Sequence, residues 1–198
     1  MSKQLPTVTY RHGIYQKVID QTTIKAAVNE VANYIINMYQ CLNESPVLLG
    51  VLNGAIYFMT DLHRTLQAKG LEAHIDTIAA QSYHKPGEQG NVTISKEPKL
   101  DLTNRFVIIV EDIVDTGKTA HAIRNHVSKL YHCETLEIVA LVKRISAIAD
   151  SKQKIHNVKD IYSGIRYRGD EWLVGYGFDD DEAGRALPDI YKRIEMLT

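Results

Sequence analysis

Three carboxylates and a hydroxyl-bearing turn fall within one short stretch, Glu111-Asp112-Ile113-Val114-Asp115-Thr116-Gly117-Lys118-Thr119. The stretch follows Val107-Ile108-Ile109-Val110, a run of branched apolar residues that reads as a strand buried on both faces. It precedes Ala120, Ile123, Val127 and Leu130, whose spacing reads as a helix. Backbone N–H groups at a helix start are unpaired and partly positive, so Asp115, Thr116, Gly117, Lys118 and Thr119 make a cradle for an anion. Gly117 lets the chain turn tightly, and Thr116 and Thr119 offer hydroxyl donors. Gly117-Lys118-Thr119 also ends like a nucleoside-triphosphate loop, but that motif requires a glycine five positions earlier, where Asp112 stands. The triphosphatase reading is therefore excluded.

Carboxylates repel phosphate, so Glu111, Asp112 and Asp115 beside an anion cradle need a task of their own. A carboxylate pair accepts hydrogen bonds from vicinal hydroxyls, and a divalent cation offsets the charge gathered there. A ligand with a phosphate at one end and a diol at the other is a ribose 5-phosphate. A plain helix cap with acids favoured by the dipole is the simpler alternative. Three carboxylates and a Thr-Gly turn behind a buried strand exceed what a cap requires.

Other elements have to position this turn. Ile24, Ala27, Val28, Val31, Ile35 and Met38 recur at helical spacing, and the helix they define ends before Pro46. Val47 to Leu52 reads as a buried strand, followed by an Asn53-Gly54 turn and a helix carrying Ile56, Met59, Leu62 and Leu66. Strand, tight turn and helix form the first unit of a parallel α/β sheet. His74 to Ala80, Leu136 to Val142 and Asp160 to Tyr167 supply further strands. His84 to Pro98 has little apolar content and reads as a long binding loop. The polar residues before Asp20 read only as a lead-in. The fold class expected is α/β, a central parallel twisted sheet flanked by helices, in a single domain spanning 1–198.

Val-Ile-Ile-Val-Glu-Asp-Ile-Val-Asp-Thr-Gly-Lys-Thr resembles the phosphoribosyl diphosphate signature of type I phosphoribosyltransferases, in the form found in hypoxanthine(-guanine) phosphoribosyltransferases. The match runs through several motifs in order, from about Pro46 to Arg185. The resemblance implies transfer of a 5-phosphoribosyl group from phosphoribosyl diphosphate to a 6-oxopurine, in purine salvage. Glu111, Asp112, Asp115 and Thr116 to Thr119 would hold the ribose and its phosphate, with Asp115 handling the proton of the base. Asn53-Gly54 falls at the loop touching pyrophosphate, with a neutral Asn53 where the family usually carries a cation. Ser82-Tyr83 matches the start of a flap near 82–98, and Arg185 a pyrophosphate-contacting arginine. Lys143 would donate to the exocyclic oxygen of the purine, Trp172 would stack on it, and Leu173 would meet its edge through the backbone. Asp179 would lie near the base and join Glu111 and Asp112 around Mg²⁺. A base-binding hood is expected from about 160 to 198, and the family implies a homodimer or homotetramer.

Composition sets the bounds. A chain of 198 residues is long enough for a real core, and its net charge of −1 gives no general pull toward nucleic acid or membrane. Cys41 and Cys133 show neither metal spacing nor a disulfide framework. No apolar run approaches the ~20 residues of a membrane helix, and no signal segment opens the chain, so a cytoplasmic protein is expected. A nucleic-acid-binding regulator on the same fold would need a clustered basic surface, which this composition does not offer. Among enzymes, xanthine- or pyrimidine-specific relatives are the second choice.

Overall fold

The computed structural model describes residues 6–10, 13–39, 44–83, 91–145 and 161–197. Its larger sheet has six strands, taken here in chain order as β3 (Val47–Leu52), β4 (His74–Tyr83), β5 (Asn91–Lys96), β6 (Phe106–Val114), β7 (Thr135–Arg144) and β8 (Tyr162–Tyr167). They lie in the order β5-β4-β3-β6-β7-β8. All neighbours run parallel except β4 and β5, which form an antiparallel pair. Helices α1 (Gln21–Tyr39) and α2 (Ile56–Ala68) cover one face, and α3 (Lys118–Leu130) covers the other.

Burial on both faces explains the unbroken apolar runs. Leu48, Ile108 and Val110 turn toward α1 and α2, while Val47, Leu49, Val107 and Ile109 turn toward α3, as the two-residue pleat requires. Residues Val107 to Val110 have no exposed surface. Each such side chain contributes about 1.5–3 kcal/mol of burial. The strand between β3 and β7 is thus the most firmly seated element, and it delivers the acidic turn.

A second, four-stranded antiparallel sheet has the order β1-β2-β10-β9, built from β1 (Thr7–Tyr10), β2 (Gly13–Ile19), β9 (Leu173–Val174) and β10 (Ile190–Met196). Here the division differs from the expected one. The small sheet takes two strands from the N-terminal lead-in, and β8, expected at the start of the hood, belongs to the large sheet. The lead-in is held because Tyr15 packs with Val174 and Tyr191, a contact no local pattern announces. Gln21 N–H, at the first residue of α1, donates to Asp189 Oδ1 (3.0 Å), fastening that helix to the small sheet.

The expected loop from 84 to 98 contains strand β5, whose Val92 and Ile94 alternate with polar residues. The flap expected near 82–98 is thus rooted in a β4–β5 hairpin, with Ser82 paired to Val92 and Tyr83 to Asn91. Its tip, 84–90, lies outside the described residues.

Candidate active site

Strand β6 continues through Val114, so Glu111 and Asp112 stand inside the strand rather than beyond it. Glu111 is buried, and its Oε2 has no hydrogen-bond partner among the described residues. Burial first, and then the neighbouring Asp112 charge, push the Glu111 carboxyl well above the usual carboxylate range. Burial also raises Asp112, although its Oδ1 accepts the Ile113 N–H at 2.7 Å. The proton belongs to the pair. Asp112 Oδ2 lies so close to Gly54 that a Cβ there would overlap it. The end of β3 and the end of β6 therefore meet through a glycine and a carboxylate.

The chain leaves β6 through Asp115 and Thr116 and turns at Gly117, whose φ of 79° is left-handed backbone. The Thr116 hydroxyl accepts the Lys118 N–H at 3.5 Å. Gly117, the N-cap residue, offers no side chain to cap α3. The first residues of α3 border a cavity of about 240 Å³ whose walls include Glu111, Asp115, Thr116, Gly117, Lys118 and Thr119. The seven residues predicted for ribose and phosphate thus include six that face one cavity, with Asp112 on its other side toward Gly54.

The pyrophosphate-loop residues adjoin this site from the other strand. Asn53 is exposed and follows a cis Leu52–Asn53 peptide bond. A Cβ on Gly177 would overlap the Gly54 carbonyl, which puts the loop after β9 directly against the loop after β3. Arg185 donates through Nη1 to the Gly177 carbonyl (2.8 Å) and pairs through Nη2 with Asp179 (3.0 Å). The Arg185 charge also acts to lower Asp112. Tyr176 locks the same loop to α2 by donating to Asp61 Oδ2 at 2.7 Å, and burial holds its hydroxyl far above the ordinary tyrosine range.

Trp172 is 54% exposed, and its Nε1–H donates to the Asp179 carbonyl at 2.7 Å. Leu173 is buried in β9. Lys143 stands apart from them. Its ammonium donates to the Ile161 carbonyl (3.3 Å), and it lines a cavity with Glu30, Tyr34 and Tyr162 that none of the other predicted purine contacts borders. The metal set expected from Glu111, Asp112 and Asp179 is not assembled either. Among the described residues no three His, Cys, Asp or Glu side chains gather around one point. Asp179 instead pairs with Arg185.

Sequence reasoning missed Arg144, the last residue of β7. It is buried beside Asp115, with Nε 3.3 Å from Asp115 Oδ1. A second cation directly after Lys143, at the end of a buried strand, was the available signal.

A mainly parallel sheet whose central strand ends in acids and leads through a glycine turn into a helix is in keeping with one family, and the chain belongs to it: the phosphoribosyl transferase domain family, whose model matches residues 17–180. A hypoxanthine phosphoribosyltransferase of Escherichia coli strain K12 is 33% identical over 178 residues, covering 89% of this chain and 94% of that protein. A hypoxanthine-guanine-xanthine phosphoribosyltransferase of Tritrichomonas foetus is 32% identical over 169 residues, covering 85% of this chain and 86% of that one. Among solved structures, a hypoxanthine-guanine phosphoribosyltransferase of Bacillus anthracis superposes with a TM-score of 0.77 at 28% identity, covering 90% of this chain and 98% of that one. Among the described residues no helix is long and apolar enough to cross a membrane.

Proposed function

We propose that this protein transfers the 5-phosphoribosyl group of phosphoribosyl diphosphate to a 6-oxopurine, hypoxanthine and also guanine, releasing pyrophosphate in purine salvage. The observation that supports this reading is the 240 Å³ cavity at the β6–α3 junction, lined by the buried carboxylate of Glu111, the exposed one of Asp115 and the first residues of α3. The amides of Thr116 to Thr119 grip the 5-phosphate, which supplies binding energy remote from the bond that breaks. Glu111 and Asp112 accept the ribose hydroxyls and so place the anomeric carbon, where oxocarbenium-like charge develops. Asp115 holds the proton at the imidazole-ring nitrogen of the base. Gly54, through its backbone, and Arg185 face the leaving pyrophosphate, with Asn53 replacing a cation by an amide. The hairpin bearing Ser82 and Tyr83 closes over the centre and excludes water.

The donor set fits Mg²⁺. Glu111 Oε2 is a buried oxygen with no hydrogen-bond partner among the described residues, and carboxylate oxygens suit a hard cation that completes its shell with ligand oxygens and water. Glu111 and Asp112 would hold it, and when bound it would neutralise charge on the pyrophosphate. Trp172 stacks on the purine, Leu173 meets its edge through the backbone, and Asp179 orients Arg185 beside them. Lys143 donates to the exocyclic oxygen after releasing the Ile161 carbonyl. The same reading makes the protein a cytoplasmic homodimer or homotetramer, to be sized by light scattering.

The test is Mg²⁺-dependent nucleotide formation from phosphoribosyl diphosphate and each purine base in turn. Hypoxanthine and guanine should react and adenine should not. Asp115→Asn should lower kcat by about 10²-fold or more while phosphoribosyl diphosphate still binds. An unchanged kcat would remove Asp115 from proton transfer. Lys143→Gln should weaken hypoxanthine use, and if it leaves both hypoxanthine use and adenine exclusion intact, Lys143 has no part in the base site.

A further inference from the structure

We infer that Arg144 is a positioning residue: it ties Asp115 to the segment leading into Trp172, so that the proton-handling carboxylate and the base-stacking ring are set as one unit. This rests on the roles given above to Asp115 and Trp172.

The geometry is specific to a guanidinium. Nη1 donates to the carbonyls of Gly169 (2.7 Å) and Glu171 (3.2 Å), the residues on either side of Asp170 just ahead of Trp172. Nε, on another edge of the same plane, faces Asp115 Oδ1 at 3.3 Å, close enough for an ion pair but without the alignment of a hydrogen bond. The guanidinium carbon sits 5.8 Å from the centre of the Tyr167 ring. Tyr167 in turn donates to Glu171 Oε2 (3.0 Å), and Glu171 Oε1 takes the Lys192 ammonium of β10 (2.7 Å). One buried cation thus joins the turn after β6, the end of β8 and the lead-in to β9. A lysine presents a single point charge and cannot serve these directions together.

A purely architectural arginine would account for the two carbonyl bonds. It would not account for the edge presented to Asp115, whose side chain is 53% exposed and has water available in place of a buried partner. Trp172 is just as open, so its ring takes its place from the backbone that Arg144 holds and from the Asp179 carbonyl.

The chain has one tryptophan, so its fluorescence reports this ring alone. Arg144→Lys should lower kcat by about 10-fold or more, leave the KM for phosphoribosyl diphosphate within about 2-fold, and lower the emission anisotropy of Trp172. In an Asp115→Asn background the same substitution should change kcat by less than about 2-fold, because its effect passes through the carboxylate already removed. Full multiplication of the two losses would overturn the inference while leaving the role of Asp115 standing. A wild-type kcat for Asp115→Asn alone would overturn both. Asp115 is half-exposed, so Asp115→Asn also serves if Arg144→Lys does not fold: its Trp172 anisotropy should shift, and an unmoved value would sink the coupling.

Discussion

At the end of β6, Glu111 is buried beside the half-buried Asp112, and neither has an ion pair among the described residues. In and around the small sheet the same chemical group is treated in the opposite way. Asp189 takes Lys17 at 2.6 Å, Asp180 takes Arg193 at 2.9 Å, and Glu171 takes Lys192 at 2.7 Å. Burial raises both acids of the first pair from their ordinary values, whereas hydrogen bonding to Lys192 holds Glu171 down at about 2. A buried carboxylate without a cation opposes folding, and one bonded to an ammonium assists it. Under the proposed function, perturbation of the first kind belongs to acids whose partners arrive with the ligand. The second kind is architecture, and it holds the hood in place.

Gly177 is where the two regions touch, and replacing it should have the largest effect. Its φ is 104°, and an added Cβ would overlap the backbone carbonyl of Gly54, which cannot swing aside as a side chain can. Gly177→Ala should destabilise the fold by about 3 kcal/mol or more. In a chain of this size that lowers Tm by roughly 6–12 °C, measurable by calorimetry. Phosphoribosyl diphosphate binding should fall with it, since Arg185 donates to the Gly177 carbonyl. A variant with wild-type Tm would mean that hood and sheet are not pressed together.

Glu171→Gln should have a smaller effect and test the architectural side. A carboxyl whose folded value is depressed stabilises the fold above its ordinary value, and that contribution disappears as pH falls through the folded value. For Glu171 the window runs from 4.5 down to about 2. Both partners are partly exposed, so solvent screening limits the loss at neutral pH to about 1 kcal/mol. The variant should melt roughly 2–4 °C lower at pH 7 and converge with the parent near pH 2. Parallel melting curves across that window would show that Lys192 contributes nothing there.

The contrast also explains what could be read in the sequence. The large sheet was legible because Val107–Val110, Val47–Leu52 and Leu136–Val142 are buried on both faces and need no distant partner to declare themselves. The acidic turn was legible because its chemistry is contiguous. The small sheet was not, since β2, with β1 beside it, joins β10 across most of the chain, and Tyr15 becomes core only through Val174 and Tyr191. The pairing of Asp179 with Arg185, six positions on, went unread for the same reason: it is made through a turn that local spacing does not specify. Arg144 escaped notice because its partners, Asp115 and the carbonyls of Gly169 and Glu171, come from separate parts of the chain.

Glu111→Gln should produce a change of similar or smaller size but opposite sign. A carboxyl whose folded value is raised imposes no cost below its ordinary value of 4.5, and a growing cost as pH climbs toward the folded value. Glutamine keeps the shape and removes the charge. At pH 7 the variant without ligand should therefore be the more stable, with a higher Tm, and the gain should vanish below pH 4.5. Adding phosphoribosyl diphosphate with Mg²⁺ should reverse the order, because the parent carboxylate then acquires the partners it lacks and gains stability by mass action. If Glu111→Gln instead melts lower than the parent at pH 7 without ligand, Glu111 is architecture like Glu171, and the distinction between the two sets of acids fails.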